Sequence, residues 1–158
     1  ESGIGKSEAV LALIERGYSL VADDITKVTL IDNQHVVGTS YETTRNLMEI
    51  RGIGIIDVAA MFGVRSVTRE KQINLVVTLV HWDKAQTIDR LGLDEETTDI
   101  LGVHIPHIVI PVRPGRDMGR LIEVAAFQTK LKMSGIHSAQ ALSERLMEKM
   151  TRDRDSHA

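Results

Sequence analysis

The sequence has no cysteine, which excludes disulfides, thiolate zinc sites and a cysteine nucleophile and fits a reducing cytoplasm. Aromatic residues make up only 3% of it, so a core has to be assembled from Ile, Val, Leu, Ala and Met. Neither sign of charge dominates. The formal net charge of −3 gives no electrostatic ground for nonspecific nucleic-acid binding. No apolar run approaches the length of a membrane span, and there is no signal-peptide pattern, internal repeat or low-complexity tract. The expectation is a cytoplasmic protein without nucleic-acid or membrane partners. What is present is ordinary for a globular chain: 158 residues, 42% apolar and 26% charged, one domain able to bury a real core.

Strand-like and helix-like segments alternate along the chain. Ser7 to Arg16 reads as a largely apolar helix stopped by Gly17. Tyr18 to Ala22 reads as a short buried strand with Asp23-Asp24 at its end. Thr26 to Ile31 and His35 to Gly38 flank Asp32-Asn33-Gln34 as a hairpin. Leu47 to Arg51 is extended, and Asp57 to Phe62 is a short helix closed by Gly63. Ile73 to Val80 has the β-branched run of a central strand. His107 to Val112 is another strand, ended by Pro111 and Pro114. Met118 to Met133 and Ser138 to Met150 read as two C-terminal helices. In the second, Ala139, Leu142, Leu146 and Met150 form one apolar stripe. Thr151 to Ala158 is charged and expected to be a disordered tail. The fold class is α/β with a mixed sheet.

The segment Glu1-Ser2-Gly3-Ile4-Gly5-Lys6-Ser7 fills all but the first place of the phosphate-loop pattern G-x-x-x-x-G-K-[ST]. The opening glycine would stand one position before Glu1, so the sequence begins inside the motif. Gly3 and Gly5 allow backbone N–H groups to face a phosphate. Lys6 supplies a cation for the phosphates and Ser7 a hydroxyl for Mg²⁺. The helix that follows adds a favourable field for anions at its N-terminus. A glycine-containing turn before a helix is the plainer alternative, but position at the head of a helix favours nucleotide binding.

Four further polar features have two readings each. Asp23-Asp24 can be a turn pair; beside a phosphate loop, carboxylates at a strand end also handle metal and nucleophile. Glu49 and Arg51 lie on one side of an extended segment, as an exposed ion pair or as site residues, with Gly52 and Gly54 allowing close backbone approach. The long polar connection from Asp83 to Ile100 is a solvated insertion or a functional loop, in which Arg90 can close over a transferring phosphoryl group. Pro111-Val112-Arg113-Pro114-Gly115-Arg116 precedes the Met118 helix, where Arg113 and Arg116 either solvate a turn or hold an anion. The six histidines show no H-x-x-x-H spacing, and His104 to His107 reads as polar packing at a strand entry.

Together these segments resemble the bacterial HPr kinase/phosphorylase family. The resemblance is carried by Glu1 to Glu8, Ala22-Asp23-Asp24, Met48 to Val58, His81-Trp82-Asp83, Asp89 to Gly92 and Pro111 to Arg116, and covers nearly the whole chain. The run Glu49-Ile50-Arg51-Gly52-Ile53-Gly54-Ile55-Ile56-Asp57 is its most specific part. The resemblance implies a C-terminal catalytic domain over 1–158, a P-loop kinase fold with a mixed sheet, a phosphoenolpyruvate-carboxykinase-like core and two C-terminal helices. It implies a homohexamer that phosphorylates a serine of HPr, the phosphocarrier of the sugar phosphotransferase system, in carbon-catabolite regulation. It also implies the reverse reaction, phosphorolysis by inorganic phosphate to give pyrophosphate.

Carried over by position, the resemblance makes Lys6 the phosphate clamp and Ser7 and Glu49 ligands of Mg²⁺ or Mn²⁺. Asp24 becomes the base for the serine hydroxyl, with Asp23 and Arg51 in support and ATP or pyrophosphate as donor. Arg90 matches a loop arginine, and Pro111, Val112, Arg113, Pro114, Gly115 and Arg116 match a dephosphorylation segment. The family pattern also includes an N-terminal domain, a strand leading into the phosphate loop and a histidine upstream of Glu1, so a piece of a longer chain is expected. Two other classes remain: a small-molecule P-loop kinase, which leaves Met48 to Asp57 unexplained, and a nucleotide-sensing interaction module without turnover.

Overall fold

Helix α1 (Lys6–Glu15) ends in a Schellman motif, with the Tyr18 amide donating to the Leu13 carbonyl and the Gly17 amide to the Ile14 carbonyl. Gly17 takes φ 99° there, a conformation that glycine adopts without a Cβ penalty. The computed structural model describes residues 5–84, 97–135 and 138–157. The chain divides into two compact units, Glu1–Glu123 and Val124–Ala158.

The first unit holds three small sheets. Strands β1 (Lys27–Ile31) and β2 (His35–Thr39) form the expected hairpin, and β5 (Glu70–Gln72) adds to β2 to give the antiparallel order β1-β2-β5. Strands β3 (Leu47–Ile50) and β4 (Gly54–Asp57) make a second hairpin, followed by helix α2 (Val58–Phe62). Asp57 caps α2 through its side chain, which accepts from the Ala60 amide at 3.0 Å. Strands β6 (Val76–His81), β8 (Val103–Val112) and β7 (Thr97–Ile100) form a mixed sheet in which β6 runs parallel and β7 antiparallel to β8. The mixed sheet and the α/β class follow the sequence reading.

Several boundaries differ from that reading. Tyr18 to Ala22 is not a strand; it contributes a single parallel bridge, Leu20 to Val67. The Ile73–Val80 run is shared between two sheets, because the Ile73 amide bonds to the Val36 carbonyl at 2.8 Å and β6 begins only at Val76. Among the described residues β6 is an edge strand and β8 the central one. Pro111 lies inside β8 rather than ending it. It is tolerated because β7 pairs with Val103–Pro106, so that among the described residues β8 has one sheet neighbour beyond that point. Both ends of the polar connection are regular: Trp82–Lys84 is a 3-10 turn and Thr97–Ile100 is β7. Arg90 lies outside the described residues. The final helix runs to Asp155 instead of stopping at Met150.

The second unit contains the rest of helix α3 (Met118–Met133) and helix α4 (Ser138–Asp155). Within α3 the Thr129 hydroxyl donates back to the Ala125 carbonyl at 2.9 Å, which satisfies a buried polar group. Lys130 and Lys132 in its last turn complement the helix dipole. Leu142, Leu146 and Met150 of the α4 stripe are exposed. No described helix is long and apolar enough to cross a membrane.

As the scarcity of aromatics requires, the buried apolar residues are aliphatic or methionine. Ile14 of α1, Leu20, Met48 and Ile50 of β3, and Val58 of α2 form one cluster, with Val10, Leu11, Ile56 and Val67 packed against it. Strand alternation puts Met48 and Ile50 inside and leaves Glu49 exposed. Met48 is 1% exposed, so Met48→Ala should destabilise the domain by about 2–5 kcal/mol through lost transfer energy and a cavity. Urea unfolding followed by circular dichroism measures this. Retention of parent stability would show that the cluster does not hold α1 to β3.

Candidate functional site

The phosphate-loop helix begins at Gly5, which has φ 91° and ψ 17° and supplies no side-chain cap. The Gly5 carbonyl accepts from the Ala9 amide at 3.0 Å, closing the first turn. The leading amides of α1 therefore remain without side-chain partners, the arrangement in which a helix start binds an anion. Glu1 to Ile4 lie outside the described residues. Lys6 stands at the first helical position and Ser7 is half-buried beside it.

Lys6 and Asp24 come together across 18 positions of sequence: Nζ lies 3.3 Å from Oδ1. Both side chains are exposed, so this pair contributes little to stability, and its value is the position it gives two groups. Asp24 has φ 61°, and the Ile25 amide donates to the Asp23 carbonyl at 2.6 Å, closing a three-residue turn around it. A non-glycine residue held in this region of backbone space is a strained feature of the kind that gathers at functional sites.

Asp23 fixes the turn from the other side. Its Oδ2 accepts from the Glu49 backbone amide at 2.9 Å, so the turn is tied to β3 next to Glu49. Lys6, Asp24, Asp23 and Glu49 are thus linked through two polar contacts, although they come from three separate segments. Ser7 follows Lys6 on the same helix start. Arg51 is exposed in the Arg51–Ile53 turn after β3, and the structure gives it no contact with this cluster.

No three His, Asp or Glu side chains among the described residues group as a metal cage. Mg²⁺ needs no such cage, because it keeps several waters and takes one or two carboxylates plus substrate phosphates. Ser7 and Glu49, with the Asp23-Asp24 turn adjacent, supply that kind of oxygen chemistry.

The Pro111 to Arg116 segment leaves β8 and turns at Arg113–Arg116, where the Arg116 amide donates to the Arg113 carbonyl at 3.3 Å. The Arg113 guanidinium lies 5.6 Å from the centroid of the Trp82 ring, a cation–π contact with the residue after β6. Pro114 and Gly115 form the exposed tip, while Pro111 and Val112 are half-buried at the end of β8. Asp117 caps α3 by accepting from the Arg120 amide at 3.0 Å. The polar packing expected around His107 is a 2.7 Å hydrogen bond between its Nε2 and the Thr78 hydroxyl of β6.

Sequence reasoning missed an ionic cluster built on Glu123. Arg16 reaches this carboxylate through Nε and Nη2, both at 3.3 Å, and Arg120 Nη1 reaches it at 2.7 Å. Arg16 Nη1 also lies 3.7 Å from Asp117. The signals were a lone carboxylate in the apolar run Leu121 to Ala126 and an Asp just before a helix. The large open cleft of about 820 Å³, lined by residues that include Lys27, Ser40, Arg45 and Arg69, contains none of the expected site residues. Glu42 and Glu70 also line it, so it presents no single sign of charge.

Hydrogen bonds from Arg16 first, then from Tyr18 and Arg120, hold the Glu123 carboxyl below the ordinary carboxylate range, against the opposing effect of its desolvation. Desolvation, and then the Glu123 carboxylate, push the Tyr18 hydroxyl up. A depressed carboxyl stabilises the fold above its unfolded value, 4.5, and that contribution disappears as pH falls through the folded value. Glu123→Gln should therefore weaken the protein near neutrality and flatten the acid limb of its stability curve below about pH 4.5. Urea midpoints from pH 3 to 7 test this. Parallel curves for parent and variant would show that Glu123 does not titrate with folding.

A family model described as the HPr serine kinase C-terminal domain matches residues 1–146. The HPr kinase/phosphorylase of Caldicellulosiruptor bescii is 45% identical over 152 residues, 96% of this chain and 49% of that protein. The protein of that name from Bacillus mycoides is 47% identical over 147 residues, 93% of this chain and 48% of that protein. The structure of the HPr(Ser) kinase/phosphatase from Coxiella burnetii matches with a TM-score of 0.77 and 36% identity, covering 90% of this chain and 86% of that one. The chain thus spans about half the length of the curated relatives it matches. With its phosphate-loop helix, paired aspartates and Glu49 strand in place, the chain belongs to the HPr serine kinase C-terminal domain family.

Proposed function

We propose that this domain carries the catalytic site of a bifunctional HPr serine kinase/phosphorylase, acting in carbon-catabolite regulation. The observation that carries the reading is the Lys6–Asp24 contact of 3.3 Å at the head of α1, with the turn bonded to the amide of Glu49. A cation for phosphate and a base for a hydroxyl meet there, beside the strand that carries a carboxylate for a divalent ion. This is the set that phosphoryl transfer requires.

In the kinase direction Asp24 takes the proton of the HPr serine hydroxyl. The serine oxygen forms a bond to the γ-phosphorus of ATP while the bond to the bridging oxygen breaks, and ADP leaves. Serine is a poor nucleophile at neutral pH, so an adjacent base is needed. Lys6 and the free amides of α1 neutralise charge on the phosphates. With pyrophosphate as donor, inorganic phosphate leaves instead. In the reverse direction an oxygen of inorganic phosphate bonds to the phosphoserine phosphorus, the bond to the serine oxygen breaks, and Asp24 returns the proton. Pyrophosphate and free serine result.

When bound, Mg²⁺ or Mn²⁺ would be held by Ser7 and Glu49 and would supply further charge neutralisation to the phosphate oxygens. Asp23 supports these groups through the Glu49 amide, while the supporting role of Arg51 and the assignment of Arg90 to the transferring phosphoryl group rest on the family resemblance. A phosphoenolpyruvate-carboxykinase-like core, a cytoplasmic homohexamer and HPr as the partner belong to the same reading. Two alternatives are separated from it by one assay on the full-length parent with HPr, ATP and Mg²⁺, followed by inorganic phosphate. Reversible HPr phosphorylation supports the proposal; phosphorylation of small molecules alone, or binding without turnover, overturns it.

Two variants test the roles. Asp24→Asn keeps the shape and removes the base, so kinase turnover should fall about 10²–10⁴-fold while ATP affinity changes far less. A parallel loss of ATP binding would move Asp24 into the metal shell. Arg116→Ala should weaken phosphorolysis much more than ATP-dependent phosphorylation, because the family resemblance assigns Arg113 and Arg116, just ahead of α3, to phosphate or phosphoserine. An equal fall in both rates would remove the dephosphorylation role from this segment.

A further inference from the structure

Glu123 is the one buried carboxylate among the described residues, and the proposed chemistry does not use it. It sits two turns into α3 yet is held from two sides. Arg16, just past the end of α1, donates to both of its oxygens at 3.3 Å, and Arg120 of α3 donates to Oε1 at 2.7 Å. The same Arg16 lies 3.7 Å from Asp117, which follows Arg116 directly and caps α3.

Backbone packing adds an independent constraint. At Gly119 a Cβ would lie 2.9 Å from the Cβ of Ala12 and 3.6 Å from the Ala9 carbonyl oxygen. The first turn of α3 therefore rests directly on the middle of α1, against the Ala12 methyl and the Ala9 carbonyl. Ala9 is three residues from Lys6, about 4.5 Å along the helix axis. The start of α3 cannot slide along α1 without parting Arg16 from Glu123 and Asp117 together. Loss of Arg16 would leave Glu123 with Arg120 alone, and loss of Glu123 would leave Arg16 with only the longer Asp117 contact.

We infer that Arg16 and Glu123 are positioning residues that hold the Arg113–Arg116 turn, at the head of α3, in fixed register with Lys6 and Ser7 at the head of α1. This rests on the proposed function, where Lys6 and Ser7 serve one phosphate and the turn receives the other. Register matters because a displacement of about 1 Å can slow a reaction by about 10²-fold. The residues touch neither substrate; they set the distance between two groups that do.

The test uses Glu123→Gln, Arg16→Ala and the double variant in the intact protein. KM for inorganic phosphate in phosphorolysis should rise about tenfold while KM for ATP changes less than about twofold. The double variant should be no worse than the poorer single variant, since the residues act as one unit. Arg16→Lys, which keeps charge but loses the two-point contact, should fall between parent and Arg16→Ala. Amide hydrogen exchange at Arg120 and Leu121, whose N–H groups bond to Asp117, should accelerate in both single variants while the β1–β2 hairpin stays protected. Equal losses of kcat in both directions with unchanged KM values would mean a structural role only and overturn the inference, as would unchanged exchange. If the parent itself turns over no HPr, the proposed activity fails, and exchange at Arg120 and Leu121 decides whether the frame exists.

Discussion

The burial of one face of α1 against β3 is the constraint on which the site depends. Ile14 reaches Met48, Ile50 and Val58 in a single cluster, and that contact decides where both ends of the helix stand. Because strand side chains alternate, the residues that anchor β3 also force Glu49 outward. The hydrophobic contact that stabilises the unit therefore also presents the carboxylate. Its neighbours along the chain, Gly52 and Gly54, carry the strand around into β4.

Polar contacts then refine what packing brings near. The Lys6–Asp24 pair is exposed and adds little to stability, yet it sets an ammonium and a carboxylate side by side. The Asp23 bond to the Glu49 amide ties a strained turn to a rigid strand. Without it Asp24 would lie on a free loop, and its carboxylate would have no fixed direction. Function here uses weak interactions on strong supports, which is how reactive groups stay accessible and still ordered. Glu123 shows the opposite balance. It is buried, held by two arginines and distant in sequence from the phosphate loop, so it suits a frame better than a reactive group.

Most elements were legible because their signals are local. The β1–β2 hairpin, α2 closed by Gly63, and α3 over Met118–Met133 follow from turn residues, helix stops and period. Tyr18 to Ala22 differs because an apolar run reports burial and not strand pairing; among the described residues its one ladder contact is Leu20 with Val67. Ile73 to Val80 was read as one strand, although Ile73 bonds to Val36 of a different sheet. Which edge an amide finds is a question of topology, and no pattern within eight residues encodes it.

The residue types at the site were visible in sequence, since Gly5-Lys6-Ser7, Asp23-Asp24 and the Glu49 run each need particular chemistry at particular spacing. By itself the sequence determined the aliphatic core, the absence of cysteine chemistry, the phosphate-loop helix and the candidates for cation, base and metal ligand. Only the tertiary structure decided that Lys6 meets Asp24, that Asp23 bonds to the strand of Glu49, and that Arg16 joins Glu123 and Asp117. Local chemistry depends on residue type and near neighbours, whereas these contacts span from 18 to 107 positions and exist only once α1 has packed.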